Sequence, residues 1–437
     1  MIETPLIFVA TSDIAGITRG KAFPLADFKK RLKHGVGWTP TNVQITCFDV
    51  IADSPYGALG DLLLIPDETT SVDVDFEDNT APERFVMGDI TTLEGEPWEC
   101  CTRTILKTAL DRLKTAGGVS LLSAFEHEFQ LKSETPSKGK AYSLAGFSDR
   151  RALGETLMAA LEKTGIQTDS FMKEYGREQY EVVVGPDQGV RSADVAVILR
   201  ELTRATARKY GDEATFCPIL DPDSVGNGVH IHMSFLNPDG TPATYDEAGT
   251  AGMSSLTGSF IAGVLKYLDS IIALTAPSAI SYLRLTPHRW SAAYNNLGFR
   301  DREASVRICP ITATDPKKKA RQYNFEFRAA DAAASPYLAL AAIIHAGTQG
   351  IEDKLPAPSV TEEDLSVLSE KELEDRGYTR LPQSLEEALS RFENNKKVRN
   401  WFPDGFSDVY LAHKRGELKC VTDLNDVERC AKYSDAY

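Results

Sequence analysis

From Ser120 to Leu131 the chain reads SLLSAFEHEFQL. The alternation puts Phe125, His127 and Phe129 on one side of a strand and Glu126 and Glu128 on the other. The same habit returns in GVHIHMS at 228–234, where Val229, Ile231 and Met233 face one way and His230, His232 and Ser234 the other. It returns again in QYEVVV at 179–184, which carries Glu181, and in NFEFR at 324–328, where Phe325 and Phe327 alternate with Glu326 and Arg328. Helical spacing separates these strands. TRTILKTALDRLKTAGG, from Thr102, has apolar residues at 105, 106, 109, 110 and 113 and closes on Gly117-Gly118. Further helices are predicted near 151–164, 192–210 and 254–274, with a nearly all-apolar, hence buried, one from Ser335 to Gly350. LPQSLEEALSRFENN is an amphipathic helix in a mostly helical last hundred residues, and KKKARQ at 317–322 reads as a basic patch on a loop. The first hundred residues read as short strands and turns, so the pattern divides the chain into a domain at 1–98 and a larger one at 99–437. The fold class is α+β.

Composition narrows the class. Across 437 residues, 42% apolar and 25% charged positions describe a soluble globular protein. A net charge of −15 argues against a nucleic-acid partner, which needs a basic stripe. No basic start with a long apolar run opens the chain, and the apolar stretch Ser335–Ile351 is broken by Pro336, His345 and Gly347, so no membrane segment is expected. Cysteines at 47, 100, 101, 217, 309, 420 and 430 form no C-x-x-C. Neither a disulfide framework nor a cysteine-rich zinc site is indicated, and a reducing, cytoplasmic setting is the simplest reading.

The polar faces carry the chemistry. One isolated E-x-E is best read as a solvated face. Four such strands suggest a curved sheet whose polar face lines a cavity. Glu126, Glu128, Glu181 and Glu326, with Glu174 on the loop before Glu181, cannot converge unpaired, and divalent cations are the natural counter-charge. Oxygen-rich ligation suits Mg²⁺ or Mn²⁺, and His230 is compatible with Mn²⁺. H-x-H alone fits a zinc hydrolase equally well. Arg284, Arg302, Arg307 and Arg328 break the tie, because fixed guanidinium forks suit a nucleotide triphosphate and an acidic substrate.

Together the motifs resemble the glutamine synthetase family. They run in order from D-x-x-G-x-x-R-G-K at 13–21, LLLIPD at 62–67, FEHEF, E-x(6)-E at 174–181 and GNGVHIHMS at 226–234. SYLRLTP at 281–287, REASVR at 302–307, EFRAAD-x(3)-SPYLALAA at 326–342 and LPQSLEEAL at 381–389 complete the set. The resemblance implies a small N-terminal β-grasp domain, a catalytic domain with a curved antiparallel sheet or half-barrel flanked by helices, and active sites between subunits of stacked hexameric rings. It implies two or more Mg²⁺ or Mn²⁺ ions per site, one held by Glu128, Glu174 and Glu181 and another by Glu126, His230 and Glu326. Arg284 and Arg328 would bind the glutamate carboxylates, with Gly226 opening the loop beside that substrate. Arg302 and Arg307 would stabilise the transferring phosphoryl group, Ser234 and Arg307 would lie near ATP, and Asp13 would reach the amine from an adjacent subunit.

The pattern departs from the family at the flap. Ammonia-using members carry a glutamate three residues beyond the proline of the SYLRLTP-type motif, and here Trp290 stands there. An apolar wall favours an organic amine over ammonium. Val225 before the glycine loop and Asn324 near Glu326 are smaller departures. The expected activity is ATP-dependent formation of a γ-glutamyl amide from glutamate and an organic amine. Glutamine synthesis from ammonia is the alternative, and a catalytically silent scaffold is disfavoured because all six expected metal ligands are present.

Overall fold

Two sheets organise the chain in the computed structural model, which describes residues 3–437. The N-terminal sheet has strands β1 (Leu6–Ser12), β2 (Thr18–Pro24), β3 (Val36–Trp38), β4 (Leu62–Pro66), β5 (Val72–Val74) and β6 (Glu83–Thr91). They lie in the order β2-β1-β6-β4-β3, with β5 on β6, and β1 runs parallel to β6 while the other pairs are antiparallel. A helix at Phe28–His34 interrupts the strands and turns predicted for this part.

The second sheet contains β7 (Ser120–Lys132), β8 (Thr168–Lys173), β9 (Gln179–Val184), β10 (Asp187–Gln188), β11 (Glu213–Thr215), β12 (Gly228–Leu236), β13 (Leu297–Gly298), β14 (Val306–Ile308), β15 (Phe325–Asp331) and β16 (Val360–Thr361). Its order is β16-β13-β14-β15-β12-β7-β9-β8, with β10 and β11 also paired to β7. All pairs are antiparallel except β13 with β14 and with β16. β7, β9, β12 and β15 are the strands read from alternation. β8 carries no such alternation, because Thr168–Lys173 is mostly half-buried along its length. The basic KKKARQ segment is a short helix, Pro316–Gln322, rather than a loop, started by Pro316 and by Asp315, whose side chain accepts from the Lys318 amide.

Helices at Thr102–Gly117, Arg151–Lys163, Arg191–Lys209, Ser255–Thr275, Pro336–Glu352 and Leu385–Asn394 match the helical periodicities to within a few residues. Ser255–Thr275 is long and apolar enough to cross a bilayer, yet it is mostly buried against Pro336–Glu352. Glycines bring the two together. A Cβ on Gly263 would meet the Ala346 carbonyl at 2.3 Å, and one on Gly350 would meet the Ser259 carbonyl at 2.1 Å.

Arg103, near the start of the helix Thr102–Gly117, ties the N-terminal sheet to the helices behind the second one. It contacts Asp67 (2.7 Å), just past the end of β4, Asp89 (3.0 Å) on β6 and Asp194 (2.8 Å) of the helix Arg191–Lys209. Tyr337 donates to Asp194 at 2.6 Å.

Candidate active site

Register sets the ionisable groups side by side. Arg307 on β14 pairs with Glu326 on β15, and Glu326 with His232 on β12. His230 on β12 pairs with Glu126 on β7, and Glu128 on β7 with Glu181 on β9. Their neighbours on the other face enter the core: Phe125, His127, Phe129, Ile231, Phe325 and Phe327 are all buried. The polar side chains therefore share the opposite face, where they line a cavity of about 670 Å³ closed by Glu174, Trp290, Arg302 and Arg328. One irregularity matters. From Val229 to Ile231, two steps on β12, the partner strand takes three, from Ala330 to Phe327. This bulge falls beside Arg328 and re-aims the local side chains.

Glu126, Glu181 and His230 each offer a ligand atom within 4.8 Å of the others, as do His232, Cys309 and Glu326. His232 joins the groups. Its Nε2 lies 3.1 Å from Glu126 Oε1 and 3.0 Å from Glu326 Oε2, and is buried without an aligned hydrogen-bond partner. Its Nδ1 lies 2.9 Å from Asn324 Oδ1. Glu326 Oε1 accepts from Arg328 Nη1 at 2.6 Å and lies 3.0 Å from Arg307 Nε.

Crowding shows in the protonation of these groups. Burial, then Glu126, Glu128, Glu174 and Glu326, push Glu181 up to about 9. Burial also raises Glu128 to about 7. Burial would raise Glu126 too, but the neighbouring His230 and His232 rings outweigh this and hold it below the usual range. Burial and then Arg328 press His230 down to about 4, so its ring is neutral at pH 7, the form that ligates metals. A carboxylate that stays protonated at neutral pH marks a missing positive charge. With the orphaned His232 nitrogen and the oxygen-rich donor set, the residues fit divalent cations.

The grouping differs from the one implied by resemblance. Glu181 sits with Glu126 and His230, whereas Glu128 Oε2 accepts from the Gly228 amide (2.8 Å) and Gln179 Nε2 (3.2 Å). Glu174 Oε2 accepts from the Tyr142 hydroxyl (2.6 Å) and the Tyr175 amide (3.1 Å). Four candidates do not line the cavity. Arg284 is buried, donating to the Ala330 carbonyl at 3.0 Å. Gly226 packs against it so closely that a Cβ would meet Arg284 Cδ at 2.9 Å and the Pro218 carbonyl at 2.4 Å. Ser234 is half-buried two residues past His232. Asp13 is elsewhere, in the N-terminal domain, with one oxygen accepting from Arg19 Nε (2.7 Å) and the other from the Ile17 amide (2.9 Å). It is a turn residue in its own chain.

At the cavity, Trp290 is 49% exposed and packs edge-on against Tyr175, ring centres 4.8 Å apart. Arg328 reaches the flap as well as Glu326, donating to the carbonyls of Arg302 (3.0 Å) and Trp290 (3.4 Å). The role of His232 was legible only as a shared face in H-x-H. Tyr142 and Tyr175 left no signal, because they reach the site through turns beside β8.

Comparison with known proteins identifies the family. Residues 3–98 match the glutamine synthetase N-terminal domain and residues 99–431 the glutamine synthetase catalytic domain. The gamma-glutamylpolyamine synthetase GlnA3 of Streptomyces coelicolor is 32% identical over 99% of this chain and 93% of its own. Type-1 glutamine synthetase 1 of Dictyostelium discoideum is 29% identical over 100% of this chain and 90% of its own. A solved glutamine synthase homologue superposes with a TM-score of 0.90 and 39% identity, covering 100% of this chain and 99% of that one. The chain belongs to the glutamine synthetase family of ATP-dependent ligases, whose members use divalent metal.

Proposed function

We propose that this ligase joins the γ-carboxylate of glutamate to an organic amine, with γ-glutamyl phosphate formed on the way. The observation that carries the amine is Trp290, whose indole lines the carboxylate cavity where the family resemblance places a glutamate in ammonia-using members. An aromatic wall welcomes an alkyl chain and, by its π-face, a second ammonium. The name of the 32% identical gamma-glutamylpolyamine synthetase supports the same reading.

Glu126, Glu128, Glu174, Glu181, His230 and Glu326 would between them hold Mg²⁺ or Mn²⁺, with Glu181 sharing its ion with Glu126 and His230. These cations would neutralise charge on the phosphoryl oxygens. Arg302 and Arg307 face the same cavity and stabilise the phosphoryl group as it moves from ATP to the γ-carboxylate, releasing ADP. Arg328 lines the cavity and orients the glutamate carboxylates, while Arg284 supports the Gly226–Gly228 backbone from beneath. Ser234 lies further along β12, on the nucleotide side. The neutral amine then attacks the acyl carbon and phosphate leaves.

An amine protonated at pH 7 must first lose a proton. Asp13 of an adjacent subunit is the acceptor in this reading, which requires a homo-oligomer, with stacked hexameric rings as its form. Because Arg19 and the Ile17 amide engage both oxygens of Asp13, the role needs Asp13→Asn to lose amine turnover in intact rings. A cytoplasmic setting, with all seven cysteines free, goes with the reading.

Phosphate release with ATP, Mg²⁺ or Mn²⁺ and glutamate, across ammonium and mono-, di- and polyamines, tests the proposal. Release with an organic amine and little with ammonium supports it. Release with ammonium alone makes ammonia the substrate, the second reading, which the carboxylate-rich lining and the glutamine synthetase relatives favour.

A further inference from the structure

Glu303 stands outside the proposed metal and phosphoryl groups, yet its carboxylate holds the flap. One oxygen accepts the His288 amide at 3.0 Å and the other the Trp290 amide at 3.1 Å. Both donors have left-handed backbone, φ 63° for His288 and 53° for Trp290. Bulky side chains leave that region unless the surroundings compensate. Asp301 accepts the Glu303 amide at 2.8 Å, so the carboxylate projects from a braced turn. Across the flap, Arg328 donates to the Trp290 carbonyl. The Trp290 peptide is thus held from both ends, and its indole is set against Tyr175 at the cavity.

We propose that Glu303 is a positioning residue for the choice of amine, acting through Trp290 and not by touching the amine. The inference rests on the amine-selecting role given to Trp290 above. A carboxylate here accepts two amides two residues apart, which a shorter or apolar side chain cannot do. Without it, the flap relaxes toward ordinary backbone angles and the indole leaves the cavity wall.

The test compares full-length enzyme carrying Glu303→Ala, Glu303→Gln, Trp290→Ala and the Glu303→Ala/Trp290→Ala pair, with Trp290→Phe identifying that indole's share of the fluorescence. Each is assayed with ATP, Mg²⁺ and glutamate against 1,4-diaminobutane and ammonium. Glu303→Ala is expected to raise KM for the diamine about tenfold, as for the loss of charge-assisted hydrogen bonds, leave KM for ATP in place, and shift Trp290 emission. Glu303→Gln, which keeps one accepting oxygen, falls between. The double variant is no worse than the poorer single variant, because both changes act on one element. Unchanged Trp290 emission in both Glu303 variants, or KM losses that multiply in the double variant, overturns the proposal. If the wild type uses ammonium alone, the organic-amine reading fails. Non-multiplying effects on ammonium KM with shifted emission then still support the positioning role, so the two failures are distinguishable.

Discussion

Glu128 on β7 stands directly across from Glu181 on β9, in a buried wall already holding Glu126 and Glu326. Facing carboxylates repel, and burial raises both, Glu128 to about 7 and Glu181 to about 9, from an ordinary 4.5. Folding therefore takes up protons. The resulting stability is fully present below the ordinary value and is lost as pH rises through 7 and then 9. Chelator-treated protein should show a melting temperature that falls from about pH 4.5 to about pH 9 and levels off above it. Mg²⁺ or Mn²⁺ should flatten that slope, and metal affinity should rise with pH as the ligands lose protons. A flat profile after chelation would contradict the crowding.

Glu326 is the common partner of Arg307, Arg328 and His232. Glu326→Ala should lower ATP turnover at least about a hundredfold. It should also cost about 3–5 kcal/mol, since two buried guanidinium groups lose their carboxylate. Glu128→Ala, which removes no arginine contact, should lose turnover with a smaller change in urea midpoint. Normal turnover in either variant would break the metal assignment.

Trp290→Glu places a carboxylate on the flap in exchange for an aromatic wall. The ratio of KM for ammonium to KM for a diamine should fall about tenfold or more. An unchanged amine profile would mean that the indole does not meet the amine.

Arg103, 1% exposed at its side chain, bridges Asp67, Asp89 and Asp194. Arg103→Met should destabilise the protein by about 3–5 kcal/mol, because three carboxylates lose their shared cation. Limited proteolysis should then cleave the N-terminal domain first. Equal protection of both domains would argue that this network is not what joins them.

Much of the wall could be read before any coordinates. Alternation is a local property of one strand, so FEHEF, GVHIHMS and FEFR assign their own faces: Phe125 and Phe327 to the core, Glu126, His230 and Glu326 to the cavity. Helical periodicity and the Gly117-Gly118 stop work equally locally. The order of motifs along the chain was enough to point to the family. Which group meets which is another matter. The pairing of Glu128 with Glu181, the three-for-two step beside Arg328 and the bridge from His232 to two carboxylates depend on how separate strands align, and no single strand encodes that. The N-terminal Asp13 looked free to reach an amine, until folding set Arg19 against it. Glu303 carries no signal in the sequence; only the fold lays the Trp290 amide, 13 residues away along the chain, on its carboxylate. Side-chain type and period follow from the sequence alone; register, turns and long-range contacts follow from packing, because only the folded chain decides which polar groups lose water together.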